Sequence, residues 1–212
     1  MDLNNSLLKK YFPHLKSKQV DQFLKLKELY FLWNTKVNII SRKDISNIFL
    51  NHVIHSLSLS KFICFNDSSN IMDLGCGGGF PGIPLAILFP NVNFILVDSI
   101  KKKIKVVNDI SSRLGLSNVT TINNRVEKIK SKFDFIVCRA VAPMEKLISW
   151  TLNNYQNENK HKIKNGIILL KGGEISYEVE KFQDKIIIKS ISDFYEEEYF
   201  KEKKIIYYPM NN

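Results

Sequence analysis

The sequence has few of the residues that build disulfide frameworks and metal centres. It contains three cysteines, Cys64, Cys76 and Cys138, whose number and spacing suit neither disulfide pairing nor a zinc site. Its four histidines are scattered along the chain, so the sequence predicts no metal site. No apolar run reaches the roughly 18 residues of a transmembrane helix. The N-terminus also lacks the apolar segment of a signal peptide, and we expect a cytoplasmic protein with no membrane partner.

Arginine is scarce as well, because lysine supplies nearly all of the positive charge. Of 31 basic residues only Arg42, Arg113, Arg125 and Arg139 are arginines, and the formal net charge is +10. Basic side chains outnumber acidic ones up to residue 172, whereas residues 173–212 are acidic overall. This distribution suits a polyanionic partner such as RNA, although a biased composition and a solvated lysine-rich surface are also compatible with it.

The most informative stretch is Ile71–Gly82, which reads IMDLGCGGGFPG. A short apolar run enters a glycine-rich turn, where backbone N–H groups can approach a ligand without Cβ atoms in the way. The dinucleotide pattern G-x-G-x-x-G fails because Phe80 occupies the position of its third glycine. A Walker motif is excluded because no G-K-[ST] follows. The stretch instead resembles motif I of class I S-adenosylmethionine (SAM) methyltransferases, acid-x-G-x-G-x-G, at Asp73, Gly75, Gly77 and Gly79.

The order of predicted elements changes at about residue 65. Before it, the pattern predicts one helix that begins at a Ser17 cap and another that runs from Ser41 or Asp44 to Leu57. After it, strands alternate with helices, as in a parallel sheet with crossover helices. The predicted strands are Asn70–Leu74, Asn93–Val97, Asn118–Ile122, Phe133–Cys138, Gly166–Lys171, Asp184–Ile191 and Lys204–Tyr208.

These elements predict an α/β fold, a seven-stranded doubly wound Rossmann-like sheet of the class I SAM methyltransferase type. Residues 1–64 would form an N-terminal helical cap and residues 65–212 the SAM-dependent methyltransferase domain, together one compact unit. We expect Ser99 to cap the helix after the second strand and Gly115 to end it. The polar stretch Asn153–Asn165 is expected to be an exposed loop.

In such a sheet the ligand lies at the carboxyl ends of the strands. Asp98 ends the second strand, where a carboxylate can accept hydrogen bonds from two ribose hydroxyls, or alternatively interact with the following helix N-terminus. Val126 and Glu127 follow the third strand and are candidates to hold an adenine ring. Arg139 follows the fourth strand, where the catalytic motifs of these enzymes lie.

The segment Cys138–Pro143 after the fourth strand offers no group for removing a proton. It is neither the [DN]-P-P-[YFW] motif of amino-group methylation nor the Pro-Cys context of a nucleophilic cysteine. An acceptor with a free lone pair, such as guanine N7, needs only positioning against the sulfonium methyl group. We therefore expect no general base, and expect Arg139 to position a phosphate or the cofactor carboxylate.

Six motifs in this order resemble the bacterial small-subunit ribosomal RNA methyltransferase G family, also called glucose-inhibited division protein B. The similarity covers roughly residues 30–175, and the glycine-proline block followed by R-V-E and R-A is its most specific part. The motifs are W-N-x-x-x-N-[IL] at Trp33–Ile39, H-V-x-x-S-L at His52–Leu57, D-L-G-C-G-G-G-F-P-G-I-P-L at Asp73–Leu85, R-V-E at Arg125–Glu127, R-A at Arg139–Ala140 and L-K-G at Leu170–Gly172.

The resemblance implies a SAM-dependent enzyme that methylates N7 of one guanine in a loop of 16S ribosomal RNA near the decoding centre. Its implied partner is 16S rRNA or the small ribosomal subunit, and we expect a monomer. The implied cofactor contacts are Gly75, Phe80, Val126, Glu127 and Arg139. The implied RNA-binding residues are Arg125 and Lys171, with Lys203 or Lys204 in place of an arginine often seen near the C-terminus.

The family commonly has Asp where this chain has His55. Together with His52, this residue is interpreted either as a structural histidine or as a substrate contact. A methyltransferase of a small molecule or of another RNA remains an alternative, and a nicotinamide-dependent oxidoreductase is supported only by the glycine content.

Overall fold

The computed structural model describes residues 3–41, 44–139 and 141–210. Its centre is a seven-stranded sheet in the order β3-β2-β1-β4-β5-β7-β6. The first five strands pair in parallel, and β7 runs antiparallel to both of its neighbours. The predicted seven-stranded sheet is therefore confirmed. The strands are β1 Asn70–Leu74, β2 Asn93–Asp98, β3 Val119–Asn123, β4 Phe135–Arg139, β5 Gly166–Gly172, β6 Ile187–Ser190 and β7 Lys203–Pro209.

Helices cover both faces of this sheet and precede it in the chain. The α-helices in the described part of the chain are α1 Leu3–Tyr11, α2 Ser17–Asn34, α3 His55–Leu57, α4 Leu59–Phe62, α5 Gly82–Leu88, α6 Lys101–Arg113, α7 Met144–Thr151 and α8 Ser176–Val179. None of the helices built from the described residues is both long and apolar enough to span a membrane.

The N-terminal helices share a hydrophobic core with one face of the sheet. Phe23, Leu26 and Tyr30 of α2 are fully buried in the same cluster as Ile71 of β1 and Phe94 of β2. Phe31 lies outside this buried stripe and is 42% exposed. The buried side of α2 packs against α5, α1 and α6.

The predicted helix from Ser41 or Asp44 to Leu57 is not continuous. A 3₁₀ turn at Ile45–Asn47 leads into a π-helical segment at Phe49–Ile54, and α3 follows directly. A π-helical segment widens the helix by one residue per turn and is often found at functional sites. Here it carries Asn51 and His52, which lie beside the cavities described below.

Two helix starts differ from the expected serine caps. Ser17 is the first residue of α2 rather than its cap, and the Gln19 side chain accepts the Lys16 backbone N–H at 3.0 Å. Ser99 does not cap α6, because Ile100 occupies the cap position and no side chain caps the helix, although Asp98 Oδ1 accepts the Ile100 N–H at 2.8 Å. The end of α6 is as expected, since Gly115 follows it with a φ of +63°.

The stretch Asn153–Asn165 is only partly the exposed loop that its polarity predicts. Asn154, Tyr155 and Asn165 are buried. The Asn154 amide donates to the carbonyls of Ile129 and Ser131, at 2.8 and 2.9 Å. Buried asparagines thus replace missing backbone pairing, which composition alone does not reveal.

Candidate active site

A cavity of about 500 Å³ opens at the carboxyl ends of β1, β2 and β4. This is the edge of a doubly wound sheet at which ligands bind. Residues from the cap, the glycine loop and four strand ends contribute to its wall: Ile39, Ile40, His52, Leu74, Gly75, Cys76, Gly77, Gly78, Phe80, Val97, Asp98, Ser99, Ile100, Lys103, Asn124, Arg125, Val126, Glu127, Arg139, Val141 and Trp150.

The glycine loop forms the floor of this first cavity. Gly75 has a φ of +67° and lies so close to Val141 that an added Cβ would approach a methyl carbon to 2.5 Å. Gly77 has a φ of +56°, and its nearest neighbour would be 4.0 Å from an added Cβ, so there is open space beside it. Tyr30 holds the loop from the cap side, since its hydroxyl donates to the Gly78 carbonyl at 2.6 Å. The loop therefore presents backbone rather than side chains to a ligand.

Two of the predicted motif I residues do not line the cavity. They contact the glycine loop from the side that faces away from the cavity. Asp73 is fully buried, and its Oδ2 accepts the Gly82 N–H at 2.7 Å. Burial raises the pKa of this carboxyl to about 7. Gly79 has a φ of +100°, and a Cβ there would approach Ile83 to 2.5 Å. Both residues shape the turn from beneath.

Asp98 faces the cavity and connects the loop with α6. Its Oδ2 accepts the Gly77 N–H at 2.9 Å, and its Oδ1 accepts the Ile100 N–H at 2.8 Å. A carboxylate oxygen has more than one lone pair, so each oxygen can still accept a ligand hydroxyl. The two backbone bonds also fix the side chain in one orientation, which suits recognition of a diol.

The segment after β3 forms the opposite wall of the first cavity. Val126 is buried at the start of a 3₁₀ turn, Val126–Lys128, while its neighbours Arg125 and Glu127 are exposed at the rim. Ile100 lies across from this turn and is also 48% exposed, so it offers apolar surface. A flat ring between Val126 and Ile100 would be held mainly by apolar contact.

Arg139 ends β4 and is a partly buried cation at the rear of the cavity. Its Nη2 lies 2.7 Å from His52 Nδ1, and its Nη1 donates to the Asn51 carbonyl at 3.5 Å. The guanidinium also lies over the Phe80 ring, 5.1 Å from the centroid. It forms no ion pair with any carboxylate of the described residues, and burial lowers its pKa. A partly buried cation without a contacting carboxylate favours binding of an anion.

A second cavity, of about 650 Å³, shares His52, Arg139 and Val141 with the first. Lys203 lies in its wall, whereas Lys204, on the opposite side of β7, does not. Lys171 also lies in the wall, but its Nζ is held by Glu178 at 2.7 Å and by the Ala142 carbonyl at 3.0 Å.

Sequence reasoning missed the contribution of the cap to the first cavity. Ile39 and Ile40 line it because the Asn34 side-chain oxygen accepts both of their backbone N–H groups, at 2.9 and 3.0 Å. Asn34 belongs to the W-N motif, so the signal was present in the sequence without a structural interpretation. Gly78 and Lys103 also line the cavity and were not singled out.

The residues of the first cavity fit SAM. The open side of Gly77 gives room for the methionine portion, and Asp98 has acceptor capacity for the ribose. The uncompensated Arg139 can neutralise the methionine carboxylate. The volume lies in the range of small-molecule sites.

The chain is similar to known methyltransferases along most of its length. A family model described as rRNA small subunit methyltransferase G matches residues 19–205. Proteins named Ribosomal RNA small subunit methyltransferase G are similar along nearly the whole chain: that of Christiangramia forsetii is 52% identical, covering 96% of both chains. That of Porphyromonas gingivalis is 47% identical, covering 96% of this chain and 93% of the relative.

Among solved structures, magnesium protoporphyrin IX methyltransferase from Synechocystis with bound SAM has a TM-score of 0.57 at 14% identity. The similarity covers 99% of this chain and 98% of that one, and it shows a shared fold. On the family match and the relatives, this chain belongs to the rRNA small subunit methyltransferase G family.

Proposed function

We propose that this protein transfers a methyl group from SAM to N7 of a guanine in 16S ribosomal RNA. The observation that carries this function is the junction of the two cavities at His52, Arg139 and Val141. The first cavity fits the cofactor, and the second is adjacent to it and large enough for a nucleoside. Membership of the rRNA methyltransferase G family supports RNA as the source of that nucleoside.

The side chains at the junction of the two cavities suit a methyl-accepting atom that does not have to lose a proton. SAM, when bound, supplies an electrophilic methyl group on a sulfonium. Guanine N7 has a free lone pair, so the protein has to orient the base and exclude water. Burial and the charge of Arg139 lower the pKa of His52 to about 3, and Arg139 occupies its Nδ1. Neither residue is suited to act as a general base.

The cofactor contacts follow from the walls of the first cavity. We assign the ribose hydroxyls to Asp98 and the adenine ring to Val126 and Glu127. Gly75, Gly77 and Phe80 would hold the methionine portion and Arg139 its carboxylate, which would fix the position of the methyl group. Asp73 and Gly79 contribute indirectly, by fixing the turn from behind.

The RNA side of the protein is assigned to basic residues around the two openings. Arg125 is exposed at the rim of the first cavity, and Lys203 lines the second. Lys171 has two of its three donors in use, and Lys204 lies outside both cavities, so their contacts with RNA would be peripheral. We expect a monomer to bind RNA, which light scattering of the free protein would test.

The decisive experiment is methyl transfer to ribosomal RNA from a strain that lacks this modification. Purified protein and methyl-labelled SAM are incubated with naked 16S rRNA, partly assembled subunits and mature small subunits, and N7 methylation is mapped by chemical cleavage at 7-methylguanosine. We expect label at one guanine in at least one substrate. Absence of label from all three, with SAM binding intact, would contradict the function.

A further inference from the structure

His52 has a single available proton position. Arg139 can only donate hydrogen bonds, so the 2.7 Å contact between Arg139 Nη2 and His52 Nδ1 requires a lone pair on Nδ1. Because the low pKa keeps the ring neutral, its one proton is on Nε2. Nε2 has no hydrogen-bond partner among the described residues, and the side chain lines both cavities. His52 is therefore a fixed donor at the junction.

His55 is fixed in the opposite tautomer. The Tyr199 hydroxyl donates its only proton to the Asn51 carbonyl at 3.1 Å. The same carbonyl, which can only accept, is also a hydrogen-bond partner of the His55 ring, and because Nε2 has no partner the donor is Nδ1, which lies 3.2 Å from the Tyr199 oxygen. Burial and nearby cations keep the pKa of His55 well below 6.5, so Nε2 has no proton.

His55 Nε2 is also an acceptor without a partner. The side chain is 5% exposed and lies in the wall of the second cavity only, and no described group donates to Nε2. A buried acceptor without a donor is costly, and a ligand that supplies an N–H group would remove that cost. The two histidines thus offer a donor at the junction and a buried acceptor within the wall of the second cavity.

We propose that His52 and His55 together recognise the acceptor base as guanine, which rests on the proposed function. Around the edge of guanine the order of groups is N7, then the O6 acceptor, then the N1–H donor. The residues follow the same order, since His52 lines both cavities and His55 lines only the second. O6 accepts from His52, N1–H donates to His55, and N7 is left free to face the methyl group.

Adenine is rejected by the same pair. It carries an amino donor at position 6 and a bare N1, so it opposes a donor to His52 and an acceptor to His55. Reversing the tautomer of His52 would break its bond from Arg139, and reversing that of His55 would turn the Tyr199 proton away from the Asn51 carbonyl. The two histidines therefore discriminate guanine from adenine, whereas Arg139 positions the cofactor.

The test replaces the target guanosine within 16S rRNA, once it has been located, by ligation of a synthetic segment. Inosine keeps N7, O6 and N1–H, whereas 2,6-diaminopurine keeps N7 and reverses the other two groups. We expect similar kcat/KM values for guanosine and inosine, and a value roughly 10- to 100-fold lower for diaminopurine. Equal rates on diaminopurine and guanosine, or rejection of inosine, would overturn the proposal.

Variants separate recognition from a structural role. His52→Phe and His55→Phe should each reduce the ratio of guanosine to diaminopurine methylation, whereas His14→Phe, at an exposed position of the cap, should leave it unchanged. The Gln side chain of His52→Gln can accept from Arg139 and still donate to the base. This variant should therefore retain part of the preference for guanosine over diaminopurine. If both Phe variants lower the two rates equally, the histidines do not read the base. Absence of methyl transfer by the wild-type protein to guanosine would instead contradict the proposed function.

Discussion

Asp98 combines two structural hydrogen bonds with a position in the wall of the first cavity. Asp98→Ala should weaken SAM binding by about 1–3 kcal/mol, because the ribose contacts and the fixed loop are both lost. Isothermal calorimetry of the free protein measures this directly. Asp67→Ala, at an exposed aspartate remote from the cavity, is the matched control. An unchanged dissociation constant for the Asp98 variant would remove this residue from the site.

Arg139 depends on the planar shape of its side chain as well as on its charge. Arg139→Lys should reduce kcat/KM at least roughly tenfold, because one ammonium cannot contact His52, the Asn51 carbonyl and an anion with the same geometry. The matched control is Arg113→Lys, where the arginine pairs with Asp109 on an exposed helix surface. Wild-type turnover in the Arg139 variant would show that any cation suffices there.

Asp73 makes stability depend on pH in the direction opposite to that of an ion-paired carboxylate. Its pKa is about 7 in the folded protein against an ordinary value of 3.8. Between these values the folded state holds a proton that the unfolded state releases, so the free energy of unfolding falls as pH rises.

Asp73→Asn removes this effect while keeping an oxygen for the Gly82 N–H. The stability of the wild type relative to the variant should therefore decline across that pH window, by up to a few kcal/mol. Urea unfolding at several pH values measures it, with Asp67→Asn as control. Parallel curves for wild type and Asp73→Asn would show that Asp73 is already ionised in the folded state.

At the scale of elements, α2 of the cap packs directly against the glycine loop. Tyr30 stacks on Phe80 at 4.7 Å between ring centroids and donates to the Gly78 carbonyl. Tyr30→Phe should cost about 1–3 kcal/mol, because the buried Gly78 carbonyl loses its donor, and it should also weaken SAM binding. Thermal unfolding and calorimetry together measure both effects. Tyr177→Phe, at a side chain that is 91% exposed, should change neither, and equal behaviour of the two variants would argue against this coupling.

The boundaries of the helices and strands show where the local sequence was sufficient to predict the structure. β1 begins and ends at the predicted residues, because a short apolar run between a polar stretch and a glycine turn is compatible with few structures other than a buried strand. The helix before it was predicted as continuous, yet it contains a π-helical segment. Side-chain periodicity does not reveal that segment, in which the Asn51 carbonyl accepts hydrogen bonds from Arg139 and Tyr199 of distant elements.

At the scale of the whole molecule, the excess of basic side chains makes RNA binding sensitive to salt. The logarithm of the RNA affinity should fall with the logarithm of the salt concentration, by about 0.7–0.9 for each phosphate contact. Lys203→Ala should reduce that slope, whereas Lys25→Ala, at an exposed position of α2, should not. Filter binding measures the slope, and SAM affinity should remain nearly constant. A slope of zero would favour a small neutral acceptor instead of RNA.

The sequence by itself determined the sheet, the glycine loop and the family, because each depends on local patterns such as apolar periodicity and glycines in order. It also identified Asp98, Val126 and Arg139 at strand ends that converge on one cavity. Only the tertiary structure decided that Asp73 and Gly79 lie behind the loop and that Ile39 and Ile40 of the cap line the cavity.

The tertiary structure alone also decided the opposite tautomers of His52 and His55. Those depend on which hydrogen-bond partners meet across separate elements, Arg139 from β4 for one histidine and Tyr199 near β7 for the other. Spacing within a motif places both histidines on one short segment. It cannot specify which nitrogen carries a proton, because that is set by groups more than eighty residues away in the chain.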